Sequence, residues 1–149
     1  MNRTLITLEP AIKNKQLRYS FNHQEKKLSV CSDEDRVIQV LTNVISNAIK
    51  YSKKGGAIDV FVDNLPDLIE IIVSDQGRGI KKEDLDKVFD KFNSLQQFQY
   101  DPKSTGFGMY LSKTIVQILG GTIGIDSQFG KGTTVHFTLA KRPIPNPQI

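Results

Sequence analysis

Apolar positions along the chain switch between a helical period and a period of two. Val37, Val40, Leu41, Val44 and Ala48 follow at helical spacing, and Ser32-Asp33-Glu34-Asp35 ahead of them offers N-cap side chains and acidic residues for a first turn. The pattern predicts a helix from about Asp33 to Tyr51. Lys53-Lys54-Gly55-Gly56 ends it, the glycines permitting a left-handed stop and the lysines suiting the negative end of the helix dipole. Runs rich in β-branched residues then predict strands over Ala57–Val62 and Leu68–Ser74, joined through the turn residues Asp63-Asn64-Leu65-Pro66-Asp67. Helical spacing returns between Gly106 and Leu119 through Met109, Ile115 and Val116, and Gly120-Gly121 closes it. Thr122–Asp126 and Thr133–Ala140 read as two last strands about a glycine-containing turn.

The remaining stretches are weaker in pattern. Thr7 to Leu17 suits a short amphipathic helix, Arg18 to Asn22 alternates like a strand, and Leu28-Ser29-Val30 is extended. Lys81 to Phe92 reads as one or two short helices, whereas Asn93 to Thr105 is polar, Gln-rich and without hydrophobic period, as expected of a mobile loop. The tail from Arg142 carries three prolines and cannot continue a strand. Helices mixed with largely hairpin-connected strands predict an α+β fold: a two-layer sandwich whose mixed, mostly antiparallel sheet carries about three helices on one face. We expect one domain over residues 1–141 and a Pro-rich linker over 142–149.

Composition narrows the function classes. The 149 residues are 38% hydrophobic and 24% charged, which suits a globular domain with a real core. The net charge of +4 is scattered along the chain, so no basic footprint for nucleic acid is expected. The single cysteine, Cys31, forms no internal disulfide and supports no thiolate metal site, which favours a reducing cytoplasmic setting. No apolar run approaches the ~20 residues needed to span a bilayer. Direct membrane contact by this domain is therefore not expected, while a parent protein anchored in the inner membrane remains compatible.

Three segments carry candidate chemistry. On the long helix Asn43, Asn47, Lys50 and Tyr51 fall at i, i+4, i+7 and i+8, within an arc of ~100° that borders the apolar stripe. Amide oxygens there can ligate Mg²⁺ and the ammonium can meet phosphate, although the same residues could simply decorate a solvated face. Asp75-Gln76-Gly77-Arg78-Gly79-Ile80 follows an apolar strand, with glycines for close backbone approach, a carboxylate to accept from an adenine amine, and Ile80 as apolar wall; a plain surface turn needs the same glycines. Thr105-Gly106-Phe107-Gly108-Met109 opens a helix whose free N–H groups and dipole favour phosphate. It is neither a dinucleotide fingerprint nor a Walker loop, since no strand directly precedes it and no Gly-Lys-Ser/Thr follows.

The order and spacing of these segments resemble the ATP-binding domain of sensor histidine kinases, within the superfamily that also holds gyrase, the heat-shock chaperone ATPase and the mismatch-repair ATPase. Asn43-Val44-Ile45-Ser46-Asn47-Ala48-Ile49-Lys50-Tyr51 looks like the asparagine box and Asp75 to Gly79 like the first glycine box. Val88-Phe89-Asp90-Lys91-Phe92 is similar to the phenylalanine box, Gly106-Phe107-Gly108 to the second glycine box, and Gly130-Lys131-Gly132-Thr133 to the last. The resemblance implies ATP and Mg²⁺ as cofactors. It implies Asn47 on Mg²⁺ with help from Asn43, Lys50 on phosphate, Asp75 on the adenine amine, and Thr133 at adenine through its hydroxyl or a bridging water. Phe89 and Phe92 would anchor a lid over Asn93–Thr105, or pack plainly in the core.

Ser104 stands where the family usually has a glycine, and Phe107 and Met109 stand where leucine is usual. His23 and His136 lie in predicted strand or turn, so neither suits a helical phosphoacceptor. The resemblance therefore implies γ-phosphate transfer to a histidine on a separate helical dimerisation domain, with a response regulator receiver domain as the further partner. The ATPase branch has a glutamate at the position of Asn43 to activate water, and an amide cannot accept that proton. The alternative reading is a nucleotide-binding module acting through protein contacts without catalysis.

Overall fold

The computed structural model describes residues 2–23, 30–91 and 107–142. In chain order its elements are α1 (Asn2–Asn14), β1 (Arg18–His23), α2 (Glu34–Tyr51), β2 (Ala57–Asn64), β3 (Leu68–Asp75), α3 (Lys82–Leu85), α4 (Gly108–Ile118), β4 (Ile123–Gln128) and β5 (Gly132–Ala140). The strands form one sheet in the order β1-β2-β3-β5-β4, with β1 parallel to β2 and the other pairs antiparallel. The parallel pair follows from α2, which crosses between its two strands. This is the expected α+β architecture.

Register explains the two layers. Val62, Ile71, Phe137 and Ile123 form one row across four strands, and Val60, Val73, Val135 and Ile125 form the next. Alternation keeps both rows on one face, where they pack with Leu8 of α1, the apolar stripe of α2, and Met109, Ile115 and Val116 of α4. The next row on that face is Ile58, Asp75, Thr133 and Ser127. Three of its four members are polar, so the core surface changes character at one end of the sheet.

α2 forms much as its sequence predicts. Asp33 accepts the Arg36 N–H at 3.2 Å as N-cap, and Val40, Leu41, Val44, Ile45, Ala48 and Ile49 are buried. Its far end differs from expectation. Lys53 and Lys54 are exposed, and the cation at the last turn is Lys15, whose ammonium donates to the carbonyls of Ile49 (2.8 Å), Lys50 (2.6 Å) and Ser52 (3.2 Å). Gly55, at φ 77°, instead donates its N–H to the Lys15 carbonyl and turns the chain into β2. Replacing Lys15 with Met should therefore lower unfolding free energy by about 2 kcal/mol, the scale for charge-assisted hydrogen bonds, read by urea denaturation, with Lys15→Arg recovering part of it.

Other boundaries shift. α1 begins at Asn2 rather than Thr7 and ends at Asn14, because Thr4, Leu8 and Ile12 share one stripe against the core while Pro10 sits on the exposed side. Leu17 then belongs to the turn into β1, its N–H donating to Ile12. Val30 packs on the core without joining a strand, while Leu28 and Ser29 lie outside the described residues. The segment from Lys81 supplies one short helix and then turns that bring Val88 and Phe89 against the core. Residues 93–105 and 143–149, expected as lid and linker, also lie outside the described residues.

Candidate functional site

Asp75 ends β3 in the polar row of the core face, beside Ile58 and Thr133. Burial pushes its carboxyl above the ordinary carboxylate range, and backbone N–H bonds from Gly77 and Thr133 partly offset that rise. The Gly77 N–H lies 2.8 Å from Oδ1. A half-buried carboxylate held this way is an oriented hydrogen-bond acceptor.

The loop after Asp75 is locked between two neighbours. A Cβ on Gly77 would come within 2.5 Å of the Tyr51 carbonyl oxygen, and one on Gly79 within 2.1 Å of the Gln128 carbonyl oxygen. These glycines thus let the loop pack directly on neighbouring backbone. Gly77 bridges to Ser52, Arg78 donates its N–H to the Tyr51 carbonyl at 3.3 Å, and the Arg78 carbonyl accepts the Gly130 N–H at 2.7 Å. Ile80, half-buried, donates its N–H to the Ser127 hydroxyl at 2.8 Å. The loop is therefore fixed to the end of α2 on one side and to the β4–β5 turn on the other.

The polar stripe of α2 joins this loop to α4. At one end the Asn43 amide donates to the Gly108 carbonyl and the Ser112 hydroxyl, each at 3.3 Å. The carbonyl of Gly108 only accepts, so it settles which way the amide points. At the other end the Arg78 guanidinium lies 4.7 Å and the Lys50 ammonium 5.3 Å from the centre of the Tyr51 ring. Asn47 and Lys50 stand between, both half-buried. From Asn43 to Tyr51 the helix advances ~12 Å.

α4 supplies the remaining wall. Phe107 is the N-cap residue of this 11-residue helix, and its side chain makes no capping hydrogen bond; the leading N–H groups of a helix have no acceptor within it. Phe107 is exposed, whereas Met109 is buried in the core, where it seats the helix. Phe89 is partly buried on the core, with the Lys113 ammonium 5.6 Å from its ring centre, as its packing alternative required. Phe92, Thr105 and Gly106 lie outside the described residues.

The described residues thus bring Asn43, Asn47, Lys50, Tyr51, Asp75, Gly77, Gly79, Ile80, Gly108 and Thr133 to one edge of the fold, between the end of the sheet and two helices. The arrangement places an acceptor at the sheet end and amides, a cation and a helix N-terminus along α2 and α4. Among the described residues no cluster of three or more acidic, histidine or cysteine side chains could hold a metal by itself. Amide oxygens of Asn43 and Asn47 instead suit a hard cation that already carries phosphate oxygens. Arg78, Ser112 and Ser127 were not singled out from sequence, because their partners are set by register and helix packing.

The sequence profile described as histidine kinase-, DNA gyrase B- and HSP90-like ATPase matches residues 32–143. The chain belongs to this ATPase family. Among curated proteins, it is 41% identical over 130 residues to the sensor histidine kinase WalK of Bacillus subtilis and 37% identical over 126 residues to the sensor protein SrrB of Staphylococcus aureus. Those alignments cover 85% and 84% of this chain but 21% of each relative, so the chain spans a minor part of their length. Among solved structures, the catalytic domain of histidine kinase ThkA superposes with a TM-score of 0.82 at 24% identity, covering 95% of this chain and 92% of that one. A mycobacterial sensor histidine kinase, MprB, gives 0.74 at 26% identity over 97% and 96% of the two chains. The ATPase family's fold is thus present nearly throughout, and no helix among the described residues is long and apolar enough to cross a membrane.

Proposed function

We propose that this chain is the ATP-binding catalytic domain of a cytoplasmic portion of a sensor histidine kinase, transferring the γ-phosphate of ATP to a histidine on a separate helical dimerisation domain. The observation that carries this reading is the placement of Asp75: an oriented, half-buried acceptor at the end of the core face, where the loop it begins meets the C-terminal end of the helix that carries Asn43 and Asn47. In this reading Asp75 accepts from the adenine amine and Thr133 assists it. Asn47, helped by Asn43, holds Mg²⁺, whose charge offsets that of the phosphates. Lys50 meets phosphate oxygens, and the leading N–H groups of α4 add fixed positive dipoles. Tyr51, with Arg78 and Lys50 against its ring, stiffens the wall near the base.

Catalysis then rests on position and charge, with the nucleophile supplied by the partner domain. Asn43 favours transfer over hydrolysis. Its amide nitrogen is committed to Gly108 and Ser112, and neither end of an amide accepts a proton from water at neutral pH. A response regulator receiver domain is the expected onward acceptor of the phosphoryl group. The structure of histidine kinase ThkA with response regulator protein TrrA is one of the folds this chain matches, at a TM-score of 0.77 and 23% identity.

The test is to incubate the domain with Mg·ATP and the dimerisation domain of its parent. An acid-labile phosphate should appear on that partner. Tight Mg·ATP binding with no transfer would favour the non-catalytic module, and steady ATP turnover by the domain alone would favour hydrolysis. Asn47→Ala should reduce Mg²⁺-dependent ATP affinity about tenfold or more while barely changing binding without the cation, as calorimetry with and without Mg²⁺ would read.

A further inference from the structure

Ser127 sits on β4 in the same cross-strand row as Thr133 and Asp75. Its hydroxyl has three partners: the Ile80 N–H at 2.8 Å, the Gly132 carbonyl at 2.9 Å and the Thr133 hydroxyl at 2.8 Å. A serine hydroxyl has one proton and two lone pairs. The Gly132 carbonyl can only accept, so it takes the Ser127 proton. The Ile80 N–H can only donate, so it takes one lone pair. The remaining contact then has one solution, in which Thr133 donates its proton to the second lone pair of Ser127. Thr133 is left with lone pairs for any ligand.

We propose that Ser127 sets the nucleobase selectivity of the site by holding the Thr133 hydroxyl as a hydrogen-bond acceptor. The proposal rests on the nucleotide reading above. With Asp75 also an acceptor, both polar groups of that row ask the ligand, or a water on it, for protons. An adenine edge answers through its exocyclic amine, or through a water that gives one proton to the ring nitrogen and the other to Thr133. A guanine edge puts a carbonyl where the amine would be, so lone pairs face lone pairs at that position, and its proton sits instead on the ring nitrogen. Without Ser127 the Thr133 hydroxyl can turn and donate, which removes part of the penalty against that carbonyl and part of the support for adenine. Polar mismatch of this kind discriminates more strongly than shape in an apolar pocket. Ser127 is thus a positioning residue that acts through Thr133.

The experiment measures Mg·ATP and Mg·GTP affinity by calorimetry for the unaltered chain, Ser127→Ala, Ser127→Thr, Thr133→Val and the Ser127→Ala/Thr133→Val double variant, with a thermal transition showing that each is folded. The expected result is a preference for ATP that narrows about tenfold in Ser127→Ala and returns in Ser127→Thr. Thr133→Val should narrow it as well without touching the Ile80 bond, and the double variant should be no narrower than the single ones, since the two act through one hydroxyl. An unchanged ratio in Ser127→Ala, or additive losses in the double variant, would overturn the role of Ser127 while leaving the ATP site standing. An unaltered chain that binds neither nucleotide would overturn both. Should Ser127→Ala not fold, Thr133→Val with an unchanged ratio would overturn the proposal on its own.

Discussion

Asp75→Asn is expected to lower Mg·ATP affinity by roughly 100-fold or more while leaving the fold in place. Asparagine keeps an oxygen that can accept the Gly77 N–H, so the loop retains the bond made at 2.8 Å. Its other end becomes an amide NH₂, a donor directed at the adenine amine, which is itself a donor. The loss therefore combines a missing charge-assisted bond with an unpaired buried group. Isothermal calorimetry reads the affinity, and a thermal melt without ligand reads the fold.

The same residue gives the binding a pH signature. Burial raises the Asp75 carboxyl above the ordinary range, so the folded chain holds this proton to higher pH than the unfolded chain does. By linkage the contribution of Asp75 to stability is best below the ordinary carboxylate range and is lost as pH rises through the raised value. Ligand binding runs the other way. The carboxylate accepts from the amine more strongly than the protonated acid does, so ATP affinity should fall as pH drops through that raised value. The Asn variant should show neither trend at this position.

Gly79→Ala is expected to have the largest effect on the fold, costing more than about 3 kcal/mol and taking nucleotide binding with it. The new Cβ would meet the Gln128 carbonyl oxygen at 2.1 Å and the Phe129 Cα at 3.0 Å, and the residue would still need a φ of 68°. Both obstacles are backbone, so no side chain can swing aside. Relief requires separating the Gly77–Ile80 loop from the β4–β5 turn, which breaks the Ile80 bond to Ser127 and unseats Thr133 from Asp75. Gly130→Ala is the control in the same turn. Its φ of 84° disfavours alanine, but nothing lies within 4 Å of the added carbon, so the cost should stay near 1 kcal/mol in urea denaturation.

Much of the site is legible from sequence because it is carried by local periodicity. The α2 stripe follows from 100° per residue, and Asp75 falls at a strand end because the β-branched run stops there. The glycines were also visible, though not their purpose. Nothing local shows that Gly77 lies against the Tyr51 carbonyl or Gly79 against Gln128. Lys53 and Lys54 were the nearer candidates for the end of α2, yet Lys15 reaches it from across the sheet edge, because β1 pairs parallel to β2 and brings that turn there.

By itself the sequence determined the element types, the α+β class, the boxes that mark an ATPase family, and the amide and carboxylate chemistry of α2 and Asp75. Those depend on residue type and on spacing along one helix or strand. Tertiary structure alone decided which polar groups meet. Asp75, Thr133 and Ser127 share a row only through strand register, and Asn43 faces Gly108 and Ser112 only through the packing of α2 on α4. Hydrogen-bond direction is a property of neighbours in space, and Asp75 meets the β4–β5 hairpin, as Asn43 meets α4, across more than fifty residues of chain.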